Sequence, residues 1–203
     1  SYRILRTNLQ MIVTQRQLTT LMVTSAVAGE GKTTTTSNLG VSFAQLGWRV
    51  LLIDADLRRP ALHRAFQIDN AEGLSDVLSG EREPKELLQD VGVKNLRIMA
   101  SGPVPPNPAE LLNESRLRRL CDQVQDDFDL IIFDSAITLS IPDTLLMAPA
   151  IGGVCLVHNP DRGDKGGVET AKKMLDRARA NIVGIMFNNV KLKTSGYGDY
   201  HYY

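Results

Sequence analysis

The sequence has little of what builds a covalent or metal-centred scaffold. Two cysteines and three histidines among 203 residues leave no disulfide framework and no ligand-like histidine spacing for a transition metal. Cys155 falls in the apolar run VCLV and Cys121 in a helical pattern, so both read as packing residues. No apolar stretch approaches the roughly 18 residues that span a bilayer, and no signal peptide is legible. Lys plus Arg number 23, as do Asp plus Glu. That balance removes the overall field expected of a nucleic-acid or anionic-lipid binder, and no nucleic-acid partner is expected. Aromatic residues are scarce, yet four of the five tyrosines, Tyr197, Tyr200, Tyr202 and Tyr203, crowd the end of the chain.

The length suits one α/β domain with a sizeable core. YRILRTNLQMIV reads as an amphipathic helix, with Arg3 and Arg6 one turn apart on a shared face. Residues 18–25 read as a strand, 32 to about 46 as a helix ended by Gly47, and RVLLIDAD as a second strand. Apolar runs recur at 131–133, 153–158 and 182–187, with helices over 109–126 and 165–180. Near-continuous apolar runs separated by helices indicate a mostly parallel sheet covered on both faces. Between Leu57 and Asn107 the pattern is less regular, although GLSDVLSG reads as a short helix bounded by glycines. We expect one domain over 1–190, followed by a flexible tail over 191–203, because SGYGDYHYY has no apolar periodicity to pack. The sequence starts at Ser1, which suggests a piece of a longer protein with any membrane anchor outside it.

AVAGEGKT, Ala26 to Thr33, lies between the first strand and a helix, the order required of a phosphate-binding P-loop. Backbone N–H groups of such a loop point at phosphate oxygens with a helix N-terminus behind them. Ala28, Gly29, Glu30, Gly31, Lys32, Thr33 and Thr34 are the candidate nucleotide contacts. Lys32 can place charge at the β- and γ-phosphates, and Thr33 can offer its hydroxyl to Mg²⁺. The general pattern has glycine where this chain has Ala26, which is tolerable only at negative φ. Asp134 ends FDLIIFD, and Asp54 and Asp56 end LLIDAD. Carboxylates two residues apart on an extended chain project to one side, at the strand ends where open α/β sheets bind ligands. Spacing alone leaves two assignments open: turn capping, or a base (Asp54) beside metal-linked acids (Asp56 and Asp134). Arg58 and Arg59 can neutralise phosphate, organise these acids or serve as surface charge.

RILRTNL, SAVAGEGKTTTTSNLG, LLIDADLRRPALH, GLSDVLSG, SGPVPPNPAELL, FDLIIFDS and the tyrosine-rich end, in this order, resemble the cytoplasmic catalytic domain of bacterial tyrosine kinases tied to capsule and exopolysaccharide synthesis. The resemblance implies a P-loop NTPase fold of the deviant Walker A type, with ATP and Mg²⁺ as cofactors. It implies ATP–Mg²⁺ at Lys32 and Thr33, Asp54 as catalytic base, Asp56 and Asp134 at the metal, and Asn188 near the adenine. It further implies self-association into a ring through Arg3 and Arg6, a membrane-bound or transmembrane activator, a cognate tyrosine phosphatase and protein tyrosine substrates. The expected location is the inner face of the cell membrane, as a cytoplasmic domain. The tail tyrosines would be autophosphorylation sites, filled between subunits.

Three positions depart from the family pattern. Ala28 stands where proline is common, Ser135-Ala136-Ile137 replaces a threonine followed by two prolines, and the interface glutamate preceding the two arginines would fall just before Ser1. Two other readings stay open: a positioning ATPase of the MinD and ParA kind, or a nucleotide-dependent scaffold in polysaccharide assembly. Such ATPases commonly carry a signature lysine at the position of Val27, which favours the kinase branch.

Overall fold

In a computed structural model, which describes residues 2–190, the apolar runs become strands of one seven-stranded sheet. The four tail tyrosines and the expected flexible tail lie outside the described residues. The chain runs α1 (Tyr2–Gln15), β1 (Thr20–Ser25), α2 (Lys32–Ala44), β2 (Val50–Asp54), α3 (Leu62–Phe66), α4 (Leu74–Ser79), β3 (Gln89–Asp90) and β4 (Leu96–Met99). It continues through α5 (Pro108–Leu111), α6 (Glu114–Val124), β5 (Leu130–Ile137), α7 (Asp143–Met147), β6 (Gly153–His158), α8 (Lys165–Arg177) and β7 (Ile182–Phe187). The strand order is β3-β4-β2-β5-β1-β6-β7, and every pairing is parallel except the short β3–β4 edge.

Side-chain alternation along each strand divides the core into two layers. Leu21 and Val23 of β1 join Val50 and Leu52 of β2 under α1 and α2. Met22, Leu51 and Ile53 point the other way, against Leu117, Leu120 and Val124 of α6 and Leu175 of α8. Because both faces are covered, β1, β2 and β6 are buried at every position. Continuous apolar strands are the sequence consequence of that burial.

The differences from the sequence reading are local. The helix expected over 109–126 is two helices, because the chain turns at Asn113, whose side chain accepts the Arg116 N–H and caps α6. The run at 131–133 is the centre of a longer strand that carries Asp134 within it and continues to Ile137. There Ser135 Oγ donates to the Val23 carbonyl at 3.0 Å and Thr24 Oγ1 donates to the Ala136 carbonyl at 2.8 Å. Both cysteines are buried and free, and burial pushes each thiol up to about 12. Among the described residues, no helix is long and apolar enough to cross a membrane.

Candidate active site

The phosphate-binding loop leaves the carboxyl end of β1, in the middle of the sheet, with β5 on one side and β6 on the other. Gly31 takes φ 97° as the residue that starts α2, a conformation costly for any residue with a Cβ. Gly29 is also left-handed, at φ 81°. Ala26 is buried and is not among the residues of positive φ, so alanine meets no backbone penalty at this position. Ala28, Gly29 and Thr34 are exposed, while Lys32 and Thr33 are half-buried at the first turn of α2. Among the described residues, the Lys32 ammonium has no hydrogen-bond partner; its charge is felt by both Asp56 and Asp134.

The acids converge because their strands are neighbours. Asp54 and Asp134 are register partners in the parallel β2–β5 pairing. Asp134 accepts a 2.5 Å hydrogen bond from Thr33 Oγ1 and a 3.2 Å bond from Thr36 Oγ1. Burial, and secondarily the charge of Asp54, pushes the Asp134 carboxyl up to about 7. Asp54 is fully buried, and its Oδ2 accepts the N–H groups of Ala61 and Leu62 at 2.8 and 2.9 Å. Its Oδ1 accepts a longer bond, 3.3 Å, from the Asp56 N–H. Burial pushes Asp54 up to about 6, partly offset by those N–H donors. Asp56 is half-buried, accepts the Arg59 N–H at 3.0 Å, and is raised above the ordinary carboxylate value, chiefly by desolvation.

Thus Asp54 caps the turn after β2 and also faces Asp134; the capping and site readings are compatible. Arg58 does not reach these acids by hydrogen bonds. Its guanidinium forks onto Asp143 at 2.8 and 3.0 Å. Glu30 turns its side chain into the protein, where it meets His158 and Asn159, so its carboxylate does not face the loop mouth. Asn188 lies against the same loop: its Nδ2 donates to the Glu30 carbonyl at 3.0 Å. Arg3 is exposed, and the half-buried Arg6 has a buried Nε with no hydrogen-bond partner among the described residues.

Sequence reading missed Thr36, Asp143 and His158. Thr36 had a signal, since it lies three residues after Thr33 on the same helical face. Asp143 and His158 gain their roles only through contacts 85 and 128 residues away in sequence.

Comparison with known proteins matches residues 18–150 to the AAA domain family. Tyrosine-protein kinase YwqD of Bacillus subtilis is 39% identical over 202 residues, covering 100% of this chain and 84% of that protein. The chain belongs to the bacterial tyrosine-protein kinases. The kinase domain of Escherichia coli tyrosine kinase ETK superposes with a TM-score of 0.91 at 34% identity, covering 100% of this chain and 79% of that one. The septum site-determining protein MinD of Pyrococcus horikoshii, solved with Mg-ADP, covers 82% of this chain and 68% of its own at a TM-score of 0.69; at 24% identity it carries the fold alone. This P-loop domain is therefore an ATP-dependent kinase domain of the exopolysaccharide and capsule type.

Proposed function

We propose that this domain transfers the γ-phosphoryl group of ATP to tyrosine hydroxyls, among them Tyr197, Tyr200, Tyr202 and Tyr203 of a second copy. The observation that carries the reading is the grouping of Thr33, Asp134, Asp54 and Asp56 beside a glycine loop whose Lys32 charge is felt by Asp56 and Asp134. The oxygen donors fit Mg²⁺. Among the described residues no three acidic, histidine or cysteine side chains form a cation cage. Mg²⁺ commonly keeps several waters and takes phosphate oxygens as ligands, so one or two protein carboxylates suffice for it. Thr33, Asp134 and Asp56 would hold it, and when bound it would neutralise charge on the phosphates.

In this reading the loop amides and Lys32 orient the phosphates, and the tyrosine oxygen attacks the γ-phosphorus. A tyrosine O–P bond forms, the bond from the γ-phosphorus to the β–γ bridging oxygen breaks, and ADP leaves. Asp54 receives the phenolic proton; a carboxyl pushed up to about 6 accepts a proton near neutrality better than an ordinary carboxylate. Two of its bonds hold the turn at Ala61 and Leu62, so access for the hydroxyl requires that turn to shift. Asp56 is half-buried where Asp54 is fully buried, and this favours a second assignment, with Asp56 as the proton acceptor.

Family membership also supports ring assembly and a membrane-bound activator. Arg3 is exposed and Arg6 half-buried on α1, and these are the two side chains proposed to meet another copy. Asn188, drawn to the loop at Glu30, is proposed to border the adenine.

Incubation with γ-labelled ATP and Mg²⁺, read for phosphotyrosine and for free phosphate, tests the proposal. Phosphotyrosine is expected, and Lys32→Met should lower it by about 100-fold or more while the fold persists. Free phosphate with no phosphotyrosine would favour the positioning-ATPase or scaffold reading.

A further inference from the structure

Glu30 places a fully buried carboxylate beneath a loop built to receive an anion. Such a charge is costly unless its oxygens are satisfied. They are. Oε2 accepts the Val27 N–H at 3.0 Å, and Oε1 meets His158 Nδ1 at 2.8 Å and accepts the Asn159 N–H at 3.2 Å. An ionised carboxylate only accepts, so His158 donates from Nδ1–H. The imidazole is held edge-on to Phe187, with ring centroids 5.7 Å apart. The loop is tied a second time through its backbone: Asn188 Nδ2 donates to the Glu30 carbonyl, and the Asn188 N–H donates to the His158 carbonyl at 2.7 Å. The turn after β6 closes over the pair. A Cβ at Gly163 would fall 2.5 Å from Glu30 Oε1.

These contacts join the start of the loop, at Val27, to the ends of β6 and β7. We infer that Glu30 and His158 are positioning residues for nucleotide binding, holding the loop from Val27 to Gly31 in its phosphate-ready shape before nucleotide arrives. The inference rests on the reading of this loop as the ATP site. Its physical content is preorganisation: a loop already ordered loses less entropy when phosphate binds. Once the phosphates are seated they order the loop themselves. Removing the pair therefore raises the KM for ATP and weakens nucleotide affinity, with little change in kcat at saturation.

The test uses His158→Phe, which keeps an aromatic ring and removes the donor, and His158→Gln, which restores an N–H donor. A third variant, Gly163→Ala, displaces Glu30 Oε1 from outside the core. Affinity for a fluorescent ATP analogue with Mg²⁺, KM, kcat and apo melting temperature are measured for each. About tenfold loss of affinity and a matching rise in KM are expected for His158→Phe and Gly163→Ala, the order of one charge-assisted hydrogen bond. His158→Gln should recover most of it. Unchanged affinity, a fall in kcat without a rise in KM, or no recovery in His158→Gln overturns the inference. If His158→Phe does not fold, Gly163→Ala against wild type decides. Wild-type protein that binds no nucleotide would instead overturn the reading of the site itself.

Discussion

Asp54, the last residue of β2, and Asp134, inside β5, are register partners, so two buried carboxylates lie side by side, and Asp134 meets Thr33 at the start of α2. Burial raises both, and the charge of Asp54 adds to the rise at Asp134. The arrangement costs stability in the empty protein and suits a site completed by positive charge.

The cost has a definite pH dependence. In the folded, metal-free protein both groups hold a proton at pH values where the unfolded chain has released it. Their contribution to stability therefore falls as pH rises from the ordinary value of 3.8 through about 6 for Asp54 and about 7 for Asp134, and is flat above. Urea unfolding in chelator should give a lower midpoint at pH 8 than at pH 6. Asp134→Asn should shrink that difference, and at pH 8 should be at least as stable as wild type. An Asp134→Asn profile as steep as wild type would remove Asp134 as its source.

Arg58 and Asp143 form an asymmetric pair: the carboxylate side chain is 1% exposed and the guanidinium 38%. Arg58→Ala strands a buried charge. The loss is put at about 1–3 kcal/mol, below that of a fully buried pair because solvent screens the arginine. Asp143→Asn in the same chain should recover part of it, since a neutral amide is cheaper to bury unpaired. Thermal or urea unfolding of the two single variants and the double variant checks this. A double variant no more stable than Arg58→Ala would show that Arg58 acts by packing and not by charge.

Much of this site was legible because its parts lie on local patterns. The P-loop, the acids that follow the apolar runs and the buried inner strands are each readable within about ten residues, where periodicity and glycine placement carry the signal, although β5 runs on past Asp134. The sheet edge was not legible. β4 is only four residues, LRIM, with Arg97 among its apolar positions, and its partner β3 has two residues. The break at Asn113 was also hidden, because the apolar spacing of α6 continues the pattern of α5 and only the cap geometry separates them. Glu30 looked like a loop residue open to nucleotide. Its inward turn depends on His158, which no local window contains.

The three acids should separate in their metal dependence. Asp56→Asn and Asp134→Asn remove oxygen charge from the proposed cation site, so the gain in ATP affinity on adding Mg²⁺ should fall by about tenfold or more. Asp54→Asn should keep that gain and lose phosphotyrosine formation, because an amide can still accept the Ala61 and Leu62 N–H groups but cannot take a proton at neutral pH. Nucleotide titration with and without Mg²⁺, paired with single-turnover transfer, is the measurement. Loss of metal dependence at Asp54 alone would exchange its role with Asp56.

Transfer between copies is open to a direct mixing experiment. Lys32→Met carrying the full tail serves as acceptor, since it retains Tyr197, Tyr200, Tyr202 and Tyr203 but lacks the charge that stabilises transfer. Active enzyme shortened after Lys193 serves as donor. With ATP and Mg²⁺, peptide mass analysis should find phosphate on the acceptor tail. Each phosphate adds roughly −1.5 to −2 charges at neutral pH, so several on one tail repel a second anionic site. Oligomer size, followed by ultracentrifugation before and after reaction, should therefore fall as phosphate accumulates, and phosphatase treatment should restore it. An acceptor tail without phosphate, where intact wild-type enzyme phosphorylates its own tail under the same conditions, would place transfer within a single copy and leave charge repulsion without a role in disassembly.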